Sequence, residues 1–468
     1  MLFNSFEFLL LVAVTAGLYY SSGLVRFQVL ILVAASVIFY AAFQPILLLL
    51  LIVVLAINVL TSHAVVYGAP ERSRMAATLG VLFNLGVLIF FKYGTLLAVS
   101  MGAGSTSFGE FLLALPLPLG ISFFTFHGIT LLVDTFRAHS QGINFGIHRP
   151  LTAHSARIGL YFLFFPQLVA GPITKSRLFL PQIVPKRWAD VDLAACFRQA
   201  TLGYFLKMVV ADNLAQQTYW IAHPYFLAKS SSDLLVMLAG YSLQIFSDFA
   251  GYSLIALGIA GLFGYRLPEN FNSPYLAHSF SNFWTRWHIS LSSFLREYLY
   301  LPLGGNRHGR LRTYLNLMTV MLLGGMWHGA AWSFMVWGAA HGLALVVERA
   351  VEDHITLPAH AALRVLRTLF VFLYVSFAWL LFKLTDFSHV LEFLRSVSNN
   401  WRLESSVDLN WMVLMYAVPV IAYHCIKEFP QRTQWLRERR IEPLIYGLML
   451  FLIVTNSGES QDFVYFQF

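Results

Sequence analysis

His328 lies inside LNLMTVMLLGGMWHGAAWSFMVWGAA, where almost every other residue is apolar, and His288 lies inside the Arg- and Trp-rich SNFWTRWHISLSSFLREYLY. An ionisable group at membrane depth is costly and marks a functional site by default. Burial disfavours imidazolium, so a buried His328 is a neutral base towards a hydroxyl, a role in which proton transfer contributes about 100- to 10,000-fold. The plain alternative is a core histidine satisfied by a neighbour. On a helix through this stretch the ring would sit among Trp327, Trp332, Met335 and Ala339, the last three on its own face. His341 lies thirteen residues further on. On a continuous helix it points about 140° away, so it is read as structural.

Around His288, helical spacing lines up Arg286, Ser290, Ser293 and Glu297 as one polar stripe and Trp284, His288, Ser292 and Leu295 as another. Trp284 and Trp287 suit an interfacial helix. The LPLGGNRHGRLR that follows is a Gly-rich turn with Arg307, Arg310 and Arg312. Guanidinium forks match phosphate oxygens, so this turn could hold the phosphates of a donor such as coenzyme A. The same charges also read as an ordinary positive-inside anchor.

Further polar residues interrupt apolar runs. YSLQIFSDFAGYSLIALG places Asp248 at its centre with Gln244, Ser247 and Tyr252 nearby. A carboxylate there needs a partner, either an imidazole or an arginine. LPLGISFFTFHGITLLVDTFR carries His127 and Asp134, and Lys92 stands near a span end, where it could snorkel. No P-loop, Rossmann glycine pattern, HExxH or Cys/His metal spacing occurs, and no G-x-S-x-G nucleophile elbow. Metal chemistry and a bound cofactor are therefore not expected.

These residues must be positioned by helices in lipid. Of 468 residues 58% are hydrophobic and only 12% charged, about half the charge of a typical soluble protein. Apolar runs long enough to cross a bilayer recur throughout, so the chain is an all-α polytopic transmembrane protein. MLFNSFEFLLLVAVTAGLYY lacks the basic start and cleavage pattern of a signal peptide and is read as a retained first helix. Cys196 and Cys425 sit in no redox or metal motif and are read as free thiols. The net charge of +8 is carried by short loops, as in positive-inside proteins, and does not imply nucleic acid.

Loop charge orients the chain. With the N-terminus outside, Arg26, the Glu71/Arg72/Arg74 loop and the loop bearing Arg137, Arg149 and Arg157 fall inside, while Ser100 to Phe111, with only Glu110, falls outside. A full crossing at 158–173 would put Lys175, Arg177, Lys186, Arg187 and Arg198 outside. The piece FPQLVAGPI is therefore expected to be re-entrant, which requires burial in protein or a cavity. Keeping Arg437, Arg439 and Arg440 inside likewise requires the region from about 314 to 347 to double back. The loop from Asp386 to Asp408, with four acids against two arginines, then falls outside.

FWTRWHISLSSFLREYLYLPLGGNR followed by GGMWHGAAWSFMVWGAAHG resembles the membrane-bound O-acyltransferase family, in its bacterial polysaccharide-acetylating branch. LPLGISFFTFHGITLLVDTFR, FPQLVAGPI, QIFSDFAGY and the terminal FVYFQF extend the resemblance over nearly the whole chain. His127 and Ala250 depart mildly from that pattern, which has Gln and Ser there. The resemblance implies a single domain over 1–468 with a catalytic core at about 110–345, built of about 10–12 spans with re-entrant helices around a central tunnel. It places the catalytic histidine at His328 and a second at His288. Asp248, Arg286 and Arg296 fall on further motif positions, assigned to substrate binding.

The implied activity is transfer of an acetyl group from a cytoplasmic donor, acetyl-CoA, across a bacterial inner membrane for O-acetylation of an exported polysaccharide such as alginate or cellulose. The implied partner is a periplasmic polysaccharide acetyltransferase. A dry tunnel would limit thioester hydrolysis. Three other readings compete. D-alanine on a carrier protein could be the donor for teichoic acid, a long-chain donor could serve a lipid or protein acceptor, or the chain could be a transporter, which would usually show internal repeats.

Overall fold

The computed structural model describes residues 1–468 except 2, 103, 169–170, 356–359, 436–440, 462 and 464–468. Arg437, Arg439 and Arg440, Val169 and Ala170 of FPQLVAGPI, and most of FVYFQF lie outside the described residues. Among those described the regular structure is helical throughout. Lipid offers no hydrogen bonds, so each span must satisfy its own backbone, as a helix does.

The helices that carry the architecture are α1 (Phe6–Tyr19), α2 (Gln28–Ala41), α3 (Leu47–Tyr67), α4 (Ser73–Ser100), α5 (Ile121–His139), α6 (Leu151–Leu163), α7 (Leu193–Tyr204) and α8 (Ser231–Leu262). They are followed by α9 (Phe280–Trp284), α10 (Ile289–Leu295), α11 (Gly309–His328), α12 (Trp332–Glu352), α13 (Ala361–Lys383), α14 (Phe387–Asn399), α15 (Val407–Glu428) and α16 (Glu442–Thr455). Seven segments are long and apolar enough to cross a membrane, ending in or formed by α2, α3, α4, α8, α12, α13 and α15, with α1 and α16 shorter apolar helices. The remaining runs of high hydropathy form helices interrupted by polar side chains or breaks.

The chain divides into two compact units, Met1–Ala200 with Tyr252–Pro268, and Thr201–Gly251 with Glu269–Phe468. In the first, α3 and α4 are joined by reciprocal amide bonds between Asn58 and Asn84 (3.1 and 2.9 Å). Lys92 does not snorkel: it is buried, with Nζ 3.4 Å from Ser122 Oγ. The segment expected to be re-entrant packs back along α6 in its described part. After α6 the chain doubles back so that Tyr161 Oη donates to Thr174 O (2.8 Å) and the Arg157 guanidinium donates to Leu180 O and Ile183 O. The contacts step back along α6, from Tyr161 near its C-terminal end to Arg157 midway along it, so the chain returns towards the end at which α6 began.

In the second unit α11 and α12 form an antiparallel hairpin. Its open end is closed by Arg310 and Tyr314, both 3.5 Å from Asp353 Oδ2. Near its tip the backbones touch: a Cβ on Gly325 would lie 2.3 Å from Phe334 O, and one on Gly338 2.3 Å from Met321 O. The region about 314 to 347 doubles back, as loop charge requires, and places His328 at the reversal.

Candidate active site

His288 owes its position to a break. Helix α9 is capped by Ser279 Oγ, which accepts from Asn282 N (3.0 Å), and Glu348 accepts the first N–H groups, from Phe280 (2.6 Å) and Ser281 (2.8 Å). The chain then turns, and His288 takes φ +43° before α10 begins. A non-glycine residue held there costs about 1–3 kcal/mol and persists only when its surroundings impose it. Asn270 does so, accepting from Ile289 N at its carbonyl (3.0 Å) and from Ser290 Oγ at Oδ1 (2.6 Å). The two expected helical stripes are consequently not continuous. Trp287, expected at an interface, is instead buried against Phe271, Tyr275, Phe283 and Trp379.

His288 and His328 meet on one indole. The His288 ring is fully buried, edge-on to Phe249 with centroids 4.6 Å apart and 6.0 Å from Trp327. His328, 5% exposed, lies 4.9 Å from the same Trp327. Trp337 (5.0 Å) and Phe382 (5.1 Å) also pack on it. Trp332, expected beside it, is 59% exposed. The helix that would have brought Trp332 to His328 ends at His328 itself, and the reversal at 329–331 brings Trp337 there instead. For the same reason His341 is not directed away, since its ring lies 4.6 Å from Trp337.

Asp248 meets a partner of a type not expected from the sequence. It pairs with Lys207 (2.8 Å), whose ammonium also donates to Asp212 (2.7 Å) and Gln461 O (3.0 Å). This triad borders a polar cavity of about 90 Å³ that Gln244, Tyr241 and Lys383 also line. Lys207 was the residue to notice in LKMVVAD, a lysine and an aspartate five apart inside an apolar run. The side chain of Arg286 is held by Glu428, while Arg296 is exposed on a π-helical turn at Arg296–Tyr300. Arg307, Arg310 and Arg312 are exposed in and just after the Gly-rich turn, which Asn316 Nδ2 pins by donating to Gly305 O (2.8 Å). His127, in the first unit, is fully buried against Tyr161 (4.9 Å). Among the described residues no cluster of three or more His, Cys, Asp or Glu side chains is placed to hold a metal ion.

Helical structure throughout the described residues, with seven apolar segments of spanning length, defines a polytopic membrane protein, and in it two buried histidines share one aromatic wall. Residues 118–387 match the family described as MBOAT, membrane-bound O-acyltransferase, and the chain belongs to that family and is an acyltransferase. It is 35% identical to a probable alginate O-acetylase of Azotobacter vinelandii, over 92% of this chain and 86% of that protein. It is 33% identical to a peptidoglycan O-acetyltransferase of Helicobacter pylori, over 94% and 92% respectively. Similarity to a teichoic acid D-alanyltransferase of Bacillus subtilis is 27%, over 58% of this chain and 70% of that one.

Proposed function

We propose that this protein transfers an acetyl group from cytoplasmic acetyl-CoA, through a bacterial inner membrane, to a hydroxyl of an acceptor that serves O-acetylation of an exported polysaccharide. The observation that carries this reading is the shared contact of His288 and His328 with Trp327. It puts two imidazoles in one aromatic, water-poor setting, where a thioester would survive and a hydroxyl could be deprotonated. The full-length similarity to O-acetyl-transferring relatives supports acetyl as the group moved.

In the reaction, neutral His328 takes the acceptor's hydroxyl proton as its oxygen attacks the thioester carbonyl carbon. The carbon–sulfur bond breaks, and the proton passes to the departing thiolate to give free coenzyme A and an acetyl ester. His288 positions the donor and donates a hydrogen bond to its carbonyl oxygen. The exposed Arg307, Arg310 and Arg312 hold the donor's phosphates. A periplasmic acetyltransferase partner accepts the group for delivery to the polymer.

The test is transfer of labelled acetyl from acetyl-CoA in proteoliposomes, comparing wild type with His328→Ala and His288→Ala at matched folded protein. Loss of transfer in His328→Ala with donor binding retained is expected. Undiminished transfer in that variant would remove His328 from the chemistry. Transfer only from a D-alanyl carrier protein would replace the donor.

A further inference from the structure

A groove of about 350 Å³ runs along α12 and α13, with Leu343, Val347 and Phe370 on its walls, a volume within the roughly 300–1,000 Å³ of small-molecule clefts. Both helices are long and apolar enough to span a membrane, and these three wall residues are exposed, so an apolar chain from the bilayer is what would cover them. Tyr374 Oη donates to Ala340 O (2.7 Å). In that antiparallel register Glu352 and Arg367, which also line the groove, fall towards the end where the two helices are joined.

Neither charge is ion-paired among the described residues. Among the described residues no side chain of opposite charge lies within 4 Å of Arg367 or of Glu352, including each other. Their charged neighbours are engaged: Glu348 accepts from Phe280 N and Ser281 N, and Arg364 faces Glu428. His278, also on the lining, has a buried Nδ1 without a hydrogen-bond partner among the described residues.

An unpaired cation and an unpaired anion at the edge of an apolar groove match a ligand that is itself a zwitterion on an acyl chain. We propose that the groove binds one aminophospholipid, its phosphate on Arg367, its primary ammonium on Glu352 and an acyl chain along Leu343, Val347 and Phe370. An anionic headgroup would satisfy Arg367 but place its charge near Glu352. A quaternary ammonium would approach Glu352 without an N–H to donate. The bound lipid would brace the two helices that also carry Trp337 and Phe382, the rings packed on His328.

The test is native mass spectrometry of the delipidated full chain in detergent, titrated with phosphatidylethanolamine, phosphatidylglycerol and phosphatidylcholine of identical chains. One phosphatidylethanolamine is expected to bind about tenfold more tightly than either competitor, a difference carried by one charged hydrogen bond. Glu352→Gln and Arg367→Gln should each erase that preference, and Leu343→Trp should abolish the adduct by filling the groove. Equal binding of the three lipids, the signature of annular lipid, would overturn the proposal. So would a phosphatidylglycerol preference that Glu352→Gln leaves unchanged. Should Leu343→Trp fail to fold, the two headgroup variants carry the decision.

Discussion

His328 and His341 lie against the same indole: Trp337 is 5.0 Å from the first ring and 4.6 Å from the second, centroid to centroid. Their surroundings still differ. Both nitrogens of His341 are buried without a hydrogen-bond partner among the described residues, and its other ring neighbours are Trp284 (5.2 Å), Phe283 (6.2 Å) and Tyr374 (6.1 Å). It fills space and supports Trp337. His341→Phe is therefore expected to retain more than about a third of wild-type acetyl transfer, whereas His328→Phe should lose about 100- to 10,000-fold. Equal losses in the two variants, at matched folded protein, would bring His341 into the chemistry.

The Lys207 ammonium has three acceptors, Asp212, Asp248 and Gln461 O, and is buried with both carboxylates. Removing it leaves two buried carboxylates without their cation. Lys207→Met should cost about 3–5 kcal/mol of stability, the range for breaking a buried ion pair from one side. Adding Asp212→Asn and Asp248→Asn should recover most of the loss. Thermal unfolding in detergent reads both, and a triple variant no better than Lys207→Met would mean that the packing of the lysine stem, not its charge, is what matters.

How much of this was legible in the chain depends on the range of the interaction. The long spans could be read because each is one apolar run, and the doubling back of α11 on α12 followed from the need to keep arginines on one face. Both histidines drew notice by residue type alone. The break before His288 was not legible because Asn270, which imposes it, lies eighteen residues upstream. The neighbours of His328 were misjudged for a related reason: a continuous helix was assumed where the chain reverses at 329–331, so Trp332 was named and Trp337 was not. The pairing of Asp248 with Lys207 was not legible because the lysine comes from a separate helical segment.

Arg286 was assigned to substrate from its motif position, yet its guanidinium is engaged by Glu428 on α15, and both side chains are only 15% exposed. A structural role predicts that Arg286→Gln loses about 1.5–3 kcal/mol, the worth of hydrogen bonds between charged groups, with the KM for acetyl-CoA unchanged. The exchange Arg286→Glu with Glu428→Arg should restore part of the stability. A rise in KM with unaltered thermal stability would return Arg286 to the donor site.

His278 lies between spans, where burial first, and then Arg364, Arg367 and Arg286, push its imidazole below the usual histidine pKa against the opposing pull of Glu428. The folded protein thus binds fewer protons than the unfolded chain between the lowered pKa and the ordinary value of about 6.5. The stability contributed by this group is complete above that ordinary value and is lost as pH falls through the window beneath it. Unfolding temperature should decline from about pH 7 towards pH 5, and His278→Gln should flatten that part of the profile. An unchanged slope in the variant would assign the pH dependence to other groups.

The tip of the α11/α12 hairpin depends on two residues without side chains. At Gly338 a Cβ would come within 2.3 Å of Met321 O and 3.2 Å of the Gly325 Cα. Backbone cannot yield as a flexible side chain can, so Gly338→Ala must push the helices apart at a point one residue beyond Trp337. Overpacking of this kind costs about 1–3 kcal/mol, and the displacement should be felt at His328, which Trp337 touches at 5.0 Å. Gly338→Ala is therefore expected to lower both the unfolding temperature and the kcat for acetyl transfer. Gly447→Ala, on α16 with nothing within 4 Å of its added Cβ, should change neither. A stable Gly338→Ala protein with full kcat would show that the position of His328 is insensitive to the helix crossing beneath it.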